Sequence, residues 1–347
     1  MQKLFMITNS CGKIPQKLNE TDPISADTIK EYFLTNGFSV TVMTYDELAN
    51  SVSSMIREIK NAYFFCASSQ YPDYFSSVED VLITIEKCGG ILIPGFIHYR
   101  AHENKYFQEI IKKKLNIQAP DSVILSSYPE GIETIEKLKF PVVGKLSSGY
   151  GSRSVELLSD KRSAELYIEK NMKGILKLRK NILKYIRYRK KLKGKHPLKA
   201  GKIILQEYIS HPGFDWKILV FGNKVFYLKR YVKNNDFRAS GSGNFDNTAR
   251  PSDELIHFAF SVKEKLDTPW VSLDVIESDG SFFLIEYQCV HFGMYTAVNS
   301  DSYVEMTATG IKEKNGRTDI DLLFAEELYN YICEIENMKN KEKLTHD

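Results

Sequence analysis

Val271-Ser272-Leu273-Asp274, then Ser278-Asp279-Gly280, then Leu284-Ile285-Glu286-Tyr287-Gln288: this stretch decides the fold. Two apolar runs of strand length flank a tight-turn tripeptide, the pattern of a β-hairpin, and a hairpin brings the far ends of its strands together. One carboxylate stands toward each far end, Asp274 and Glu286. Carboxylate oxygens on rigid strands suit a hard cation such as magnesium, which takes a few direct ligands and leaves room for phosphate and water. A hairpin whose carboxylates merely face solvent has the same pattern, so the neighbouring sequence has to decide.

Working outward, the organising region runs from Ile204 to Gly293. It opens with Gln206-Glu207-Tyr208-Ile209 and continues through Asp215-Trp216-Lys217-Ile218-Leu219-Val220 and Asp236-Phe237-Arg238. Upstream, a short buried-type strand ending at Lys145 leads into a small-residue loop, Ser147, Ser148, Gly149, Tyr150, Gly151 and Ser152, and then a strand at Val155 to Leu158. Such a loop can curl its backbone N–H groups around phosphate oxygens, and Lys145 adds a point charge at its base. No GxxxxGK[ST] sequence is present, so this is not a Walker A loop. Earlier still, Tyr106, Ile110, Ile111 and Leu115 recur at helical spacing, which places Lys105 in the first turn of a helix with those apolar residues inward. A cation there opposes the helix dipole. Solvent exposure accounts for it, and so does a phosphate shared by the lysine and the helix end.

Strand and helix signals alternate over residues 1–100: strands at 3–8, 39–43, 62–67 and 91–94, helices at 25–36, 45–60 and 77–87. That is the pattern of a small parallel sheet with helices on both faces. Asn9-Ser10-Cys11-Gly12 lacks GxGxxG and reads as a loop without a dinucleotide. Residues 251–265 read as a helix behind the sheet. Residues 318–337 read as a closing helix with Ile320, Leu323, Phe324, Leu328 and Ile332 inward, followed by a charged tail that should fray.

Residues 170–202 are the compositional oddity: lysine and arginine throughout, and no acidic residue between Glu169 and Glu207. Ile175, Leu178, Ile182 and Tyr185 or Ile186 give an apolar stripe, so an amphipathic helix ending near Gly194 to Pro197 is expected. It fits an acidic partner such as a polysaccharide, an anionic lipid surface or nucleic acid, and equally a solvated helix face.

Composition narrows the classes. Across 347 residues the hydrophobic share is 43% and the charged share 26%, ordinary for a globular protein, and a net charge of +3 implies no partner by itself. No apolar run approaches the ~20 residues of a membrane span, and residues 1–9 read as a strand instead of a signal peptide, so a cytoplasmic location is expected. Cys11, Cys66, Cys88, Cys289 and Cys333 are odd in number and form no CxxC, which argues against a disulfide framework and a zinc site.

Taken in order, Lys105, Lys145 with the 147–152 loop, Gln206-Glu207-Tyr208-Ile209, Asp215, Asp236-Phe237-Arg238, Asp274 and Glu286-x-Gln288 resemble the ATP-grasp family of carboxylate–amine ligases. The likeness is closest to its glutamate-ligase-like branch and covers Ala101 to Gly293. It implies an α/β chain: a Rossmann-like pre-ATP-grasp domain over 1–100, then an α+β grasp of two lobes. Residues 101–205 would carry the glycine-rich loop and the basic insert, 206–338 the ribose and magnesium sites, and 339–347 the tail. Carried over residue by residue, Lys105 and Lys145 hold the ATP phosphates and Ser147 to Ser152 close over them. Gln206 and Glu207 to Ile209 lie beneath adenine, and Asp215 holds the ribose. Asp274, Glu286 and Gln288 bind two magnesium ions, with manganese as a substitute, and Glu286 bridges. Arg230 and Arg238, with Lys145, neutralise the transferred phosphoryl group.

Two positions depart from the family pattern. Glutamine at 288 replaces the usual asparagine, and small residues follow Arg238 where the family has asparagine. The implied activity is ATP-dependent conversion of a carboxylate to an acyl phosphate and its joining to an amine. The implied partners are small carboxylates and amines, with an acidic polymer, such as a uronic-acid polysaccharide or an acidic peptide, at the basic segment. Nucleic acid is not expected, and a homodimer is compatible. The alternatives are an ATP-binding polyanion module without ligation and a small-molecule kinase. His291, Phe292, Tyr295 and Trp216 are candidates for a pocket wall, with core packing as the plainer role.

Overall fold

The computed structural model describes residues 1–14, 22–68, 72–148, 155–174, 199–233, 236–239 and 241–346. The first layer consists of β1 (Lys3–Thr8), α1 (Ala26–Thr35), β2 (Ser39–Thr44), α2 (Tyr45–Ile59), β3 (Tyr63–Cys66), α3 (Pro72–Lys87) and β4 (Ile91–Ile93). Its strands form a parallel sheet in the order β2-β1-β3-β4. Local chemistry fixes the helix starts. Ser25 caps α1 by accepting from the Thr28 N–H, and Thr44 with Glu47 makes a capping box on α2.

The next lobe contains α4 (Phe96–Ala101), α5 (Lys105–Lys114), β5 (Ser122–Ser127), α6 (Tyr128–Ile135), β6 (Val142–Leu146), β7 (Val155–Leu158), α7 (Lys161–Asn171), β8 (Lys173–Gly174) and β9 (Lys199–Glu207). The antiparallel order is β5-β9-β6-β7, with β8 on β9. The amphipathic helix expected within 170–202 falls mainly on 175–198, outside the described residues. Its flanks are corrected: Lys173–Gly174 and the start of β9 are strands, paired with each other, because backbone pairing at the root of the insert wins over the helical pattern.

The last lobe contains β10 (Phe214–Phe221), β11 (Lys224–Tyr231), β12 (Phe245–Asp246), α8 (Asp253–Leu266), β13 (Trp270–Ser278), β14 (Ser281–Gln288), α9 (Tyr295–Val298), β15 (Ser302–Thr307), β16 (Gly310–Asn315) and α10 (Ile320–His346). Its sheet runs β14-β13-β10-β11-β15-β16, with β12 on β11. The period of two sorts this sheet cleanly. Trp216, Ile218, Val220, Val271, Leu273 and Val275 face one way and pack on α8 through Leu255, Ile256, Ala259 and Val262. Leu219, Phe221, Phe226 and Trp270 face the other way, into a core shared with α10 and the first sheet. That second face is apolar low on the strands and charged high on them. The charged part is the floor of a cleft.

The tail expectation is also corrected. The closing helix continues to His346 where fraying from Asn340 was expected, and before that point Glu336 takes hydrogen bonds from Tyr63 of the first sheet and Lys339. Gly222, in the β10–β11 turn at φ 51°, lies so close to Glu327 of α10 that a Cβ would stand 1.9 Å from the carboxylate. A side chain there would strain the left-handed backbone and push the Glu327 carboxylate aside.

Candidate active site

Asp274 and Glu286 stand directly opposite one another on β13 and β14. The turn is the one the sequence calls for, with Asp279 at φ 49° and Gly280 at φ 73°. A register shift at Asp274/Val275 makes the alignment: below it Val275 pairs with Leu284, above it Asp274 pairs with Glu286. The extra residue, Ile285, is taken up by the bulge, which turns Glu286 and Gln288 onto the face of Asp274. On the neighbouring strand Lys217 pairs with Asp274 in register, and Asp215 pairs with Arg230 of β11. The Arg230 guanidinium makes two bonds to Asp215, 2.7 and 2.9 Å, and a third contact of 3.1 Å to Asp274. Lys217 Nζ is 3.0 Å from Asp274.

These pairings set the charges. Burial alone would raise the Asp274 carboxyl, but Arg230 and Lys217 hold it well below the usual carboxylate range. Burial also raises Asp215, with Arg230 pulling against it. The guanidinium stays charged throughout, since its two carboxylates outweigh its burial.

The opposite wall comes from α5 and the second sheet. Asn104 caps α5 and is itself held by the Ser147 hydroxyl at 2.8 Å, while the Lys105 N–H donates to the Ser147 carbonyl. Lys105 Nζ reaches Glu286 at 3.2 Å, so the anion that its place in the first turn calls for is supplied across the cleft. Of the helically spaced apolar residues of α5, Ile111 is buried and Leu115 packs on the core, while Ile110 is exposed, and the buried positions also include Lys105, Gln108, Glu109 and Lys112. Lys112, 1% exposed, holds Glu109 at 2.6 Å and the carbonyl oxygens of Leu284 and Ile285. Gln206 donates to Glu109 at 3.3 Å and accepts from Lys145 at 2.5 Å. Polar residues at i, i+3, i+4 and i+7 were the available signal, since α5 lies between two sheets and its inner face meets polar groups on both. Burial, with Lys112 nearby, pulls Lys145 down to about 8 against the opposing pull of Glu109 and Glu286.

Between these walls lies a cavity of about 320 Å³. It is lined by Lys105, Lys145, Gln206, Glu207, Tyr208, Ile209, Asp215, Arg230, Arg238, Asp274, Glu286 and Gln288. Twelve residues singled out from the sequence are thus brought together. Ser147 is buried against Asn104 and Ser148 is exposed, and neither lines the cavity. Gly149, Tyr150, Gly151 and Ser152 lie outside the described residues. Arg238 is held by Asp236 through two bonds of 2.9 Å. Trp216 packs in the core on the far face and Tyr295 stands exposed, whereas His291 and Phe292 do line the cavity. Sequence reading missed Lys217, although the alternation Asp215-x-Lys217 puts both on one face. It also missed Glu103, a wall residue whose carboxyl is raised by burial.

Gln288, expected as a metal ligand, is hydrogen-bonded within the wall. Its oxygen lies 2.9 Å from His102 Nδ1 and its amide nitrogen donates to Glu286 at 3.3 Å. Asp274 and Glu286 both line the cleft and stand opposite each other in register. Among the described residues no group of three or more His, Cys, Asp or Glu side chains forms a metal cage. Two carboxyl side chains facing a cavity with lysines opposite fit magnesium held jointly with phosphates, which is how that ion is commonly bound.

A cleft between two antiparallel lobes, with a carboxylate pair on one side and lysines on the other, defines an ATP-dependent carboxylate–amine ligase of the ATP-grasp fold. The RimK-like ATP-grasp domain model matches residues 102–305, well over half the chain, and the chain belongs to that family of ATP-binding, ADP-forming ligases. D-cycloserine synthetase DcsG is similar at 11% identity and TM-score 0.52, over 94% of this chain and 98% of that one. N5-carboxyaminoimidazole ribonucleotide synthetase from Thermotoga maritima is similar at 14% and 0.51, over 87% and 70%. D-alanine–D-alanine ligase from Bacillus anthracis, complexed with ATP, gives 14% and 0.49 over 99% and 100%. At these identities the likeness to the first two shows the fold. No curated protein matches the chain. Among the described residues no helix is long and apolar enough to cross a membrane.

Proposed function

We propose that this protein uses ATP to activate a small carboxylate as an acyl phosphate and joins it to an amine. The observation that carries the reading is the in-register pair Asp274 and Glu286 facing Lys105 and Lys145 across one cavity. Lys105 and Lys145 bind the phosphates. Gln206, Glu207, Tyr208 and Ile209, at the end of β9, flank adenine together with Val143, Val155 and Ile276 of the cavity wall. Asp215 takes the ribose hydroxyls. Asp274 and Glu286 would hold magnesium, which supplies charge neutralisation at the phosphates when bound.

The substrate carboxylate oxygen attacks the γ-phosphorus, the bond to the β-phosphate oxygen breaks, and ADP leaves. Arg230, held by Asp215 and Asp274 in one orientation, faces the negative charge that develops, with Arg238 at the rim. The amine nitrogen then attacks the acyl carbon, phosphate departs with the bonding electrons, and the amine proton passes to phosphate or solvent. No protein nucleophile takes part.

ADP release with purified protein, dependent on both a carboxylic acid and magnesium and trapped by hydroxylamine as a hydroxamate, is the expected result. ADP release without hydroxamate would assign the site to a kinase instead, because a phosphorylated alcohol gives none.

A further inference from the structure

The row of cleft-facing side chains does not stop at Arg230. Residues opposite each other on antiparallel strands project to the same face. Phe245 of β12 stands opposite Arg230, as Arg230 stands opposite Asp215. Phe245 therefore shares the face that carries Asp215, Lys217 and Asp274. It is 39% exposed, and the ring of Tyr295, 43% exposed, lies beside it with centroids 5.5 Å apart and planes at 55°. Tyr295 opens α9, two residues after Gly293 in the cavity wall. At the outer end of a charged row, two adjacent rings are left in solvent. An exposed aromatic pair beside a catalytic cleft has apolar area to bury and a geometry that favours another ring.

We infer that Phe245 and Tyr295 form a specificity subsite for the carboxylate substrate, selecting an acid whose chain continues from the reacting carboxylate into an apolar ring. This rests on the ligase reading, in which Arg230 flanks the reacting carboxylate. Neighbouring strands are about 4.8 Å apart, so a ring one or two methylenes beyond the carboxylate reaches Phe245 while its oxygen stays at Arg230. A short acid such as propionate reaches Arg230 alone.

The test compares propionate with phenylpropionate in the full chain, with ATP, magnesium and hydroxylamine, reading ADP and hydroxamate together. The expected result is a kcat/KM for the ringed acid higher by about tenfold or more. Phe245→Ser and Tyr295→Ser should each shrink that ratio by raising KM for phenylpropionate, and Phe245→Tyr and Tyr295→Phe, which keep the rings, should retain it. Equal kcat/KM for the two acids in the wild-type protein, or a ratio unmoved by the serine variants, overturns the subsite and leaves the ligase reading standing. Absence of ADP release with either acid overturns both.

Discussion

The two walls of the cleft are built by opposite means. On the carboxylate wall Asp215, Asp274 and Glu286 face Lys217 and Arg230, every one of them on a strand of a single sheet, and strand register places Asp215 against Arg230 and Asp274 against both Lys217 and Glu286. On the lysine wall, Lys105, Lys112 and Lys145 come from a helix and a strand of a different sheet, and their partners are scattered: Glu109 for Lys112, Gln206 for Lys145, and Glu286 across the cleft for Lys105. Strand register within one sheet assembles the first wall, whereas the second exists only once α5 has docked between the sheets.

Breaking the carboxylate wall should give the largest effect. Glu286→Ala is expected to lower acid-dependent ADP release by on the order of a thousandfold or more, with an unchanged circular dichroism spectrum. Near-normal turnover would remove Glu286 from the chemistry. Breaking the lysine wall should instead show as instability. Lys112→Ala strands a buried Glu109 carboxylate and should cost about 3–5 kcal/mol in urea unfolding, while the matching change at an exposed pair, Lys161 with Glu136, should leave the urea midpoint nearly unmoved.

The walls should also part in their pH response. Burial pushes the Lys145 ammonium down to about 8, so ATP binding above that pH must restore the proton. Affinity measured by calorimetry should fall by up to about tenfold per pH unit above 8, and Gln206→Glu should move that fall to higher pH. The same depressed ammonium makes a contribution to folding of opposite sign: between about 8 and its unfolded value the unfolded chain binds more protons, so this group adds stability as pH rises. Asp274, held low by Arg230 and Lys217, should stay ionised across the same range. The smallest effect sharpens the comparison at its edge. Gln288→Asn draws the amide back from His102 and should cost about 1 kcal/mol of stability. A gain in magnesium affinity in that variant, read by manganese competition in electron paramagnetic resonance, would show that Gln288 is turned away from the ion.

How much of this was readable in advance follows from the same contrast. The hairpin, its Asp-Gly turn and the approach of its two carboxylates were legible because a two-residue turn joins the strands locally. The bulge that aligns them was not, since its only mark is one extra residue. The helix start at Lys105 was legible, but the inner face of α5 only in part: the structure buries Ile111 as the apolar spacing suggested, and with it Gln108, Glu109 and Lys112. Lys217 went unnoticed because one lysine in an apolar strand carries no signal until its partner on β13 is known.

The sequence by itself determined the elements with a short period: the alternating strands, the capped helices, the turn, and the order of lysines and carboxylates along the chain. Tertiary structure decided which of those charges meet. Lys105 and Glu286 are separated by most of two lobes in the chain and by 3.2 Å in space. Only packing of α5 against both sheets sets that distance, because no local rule of backbone geometry reaches across it.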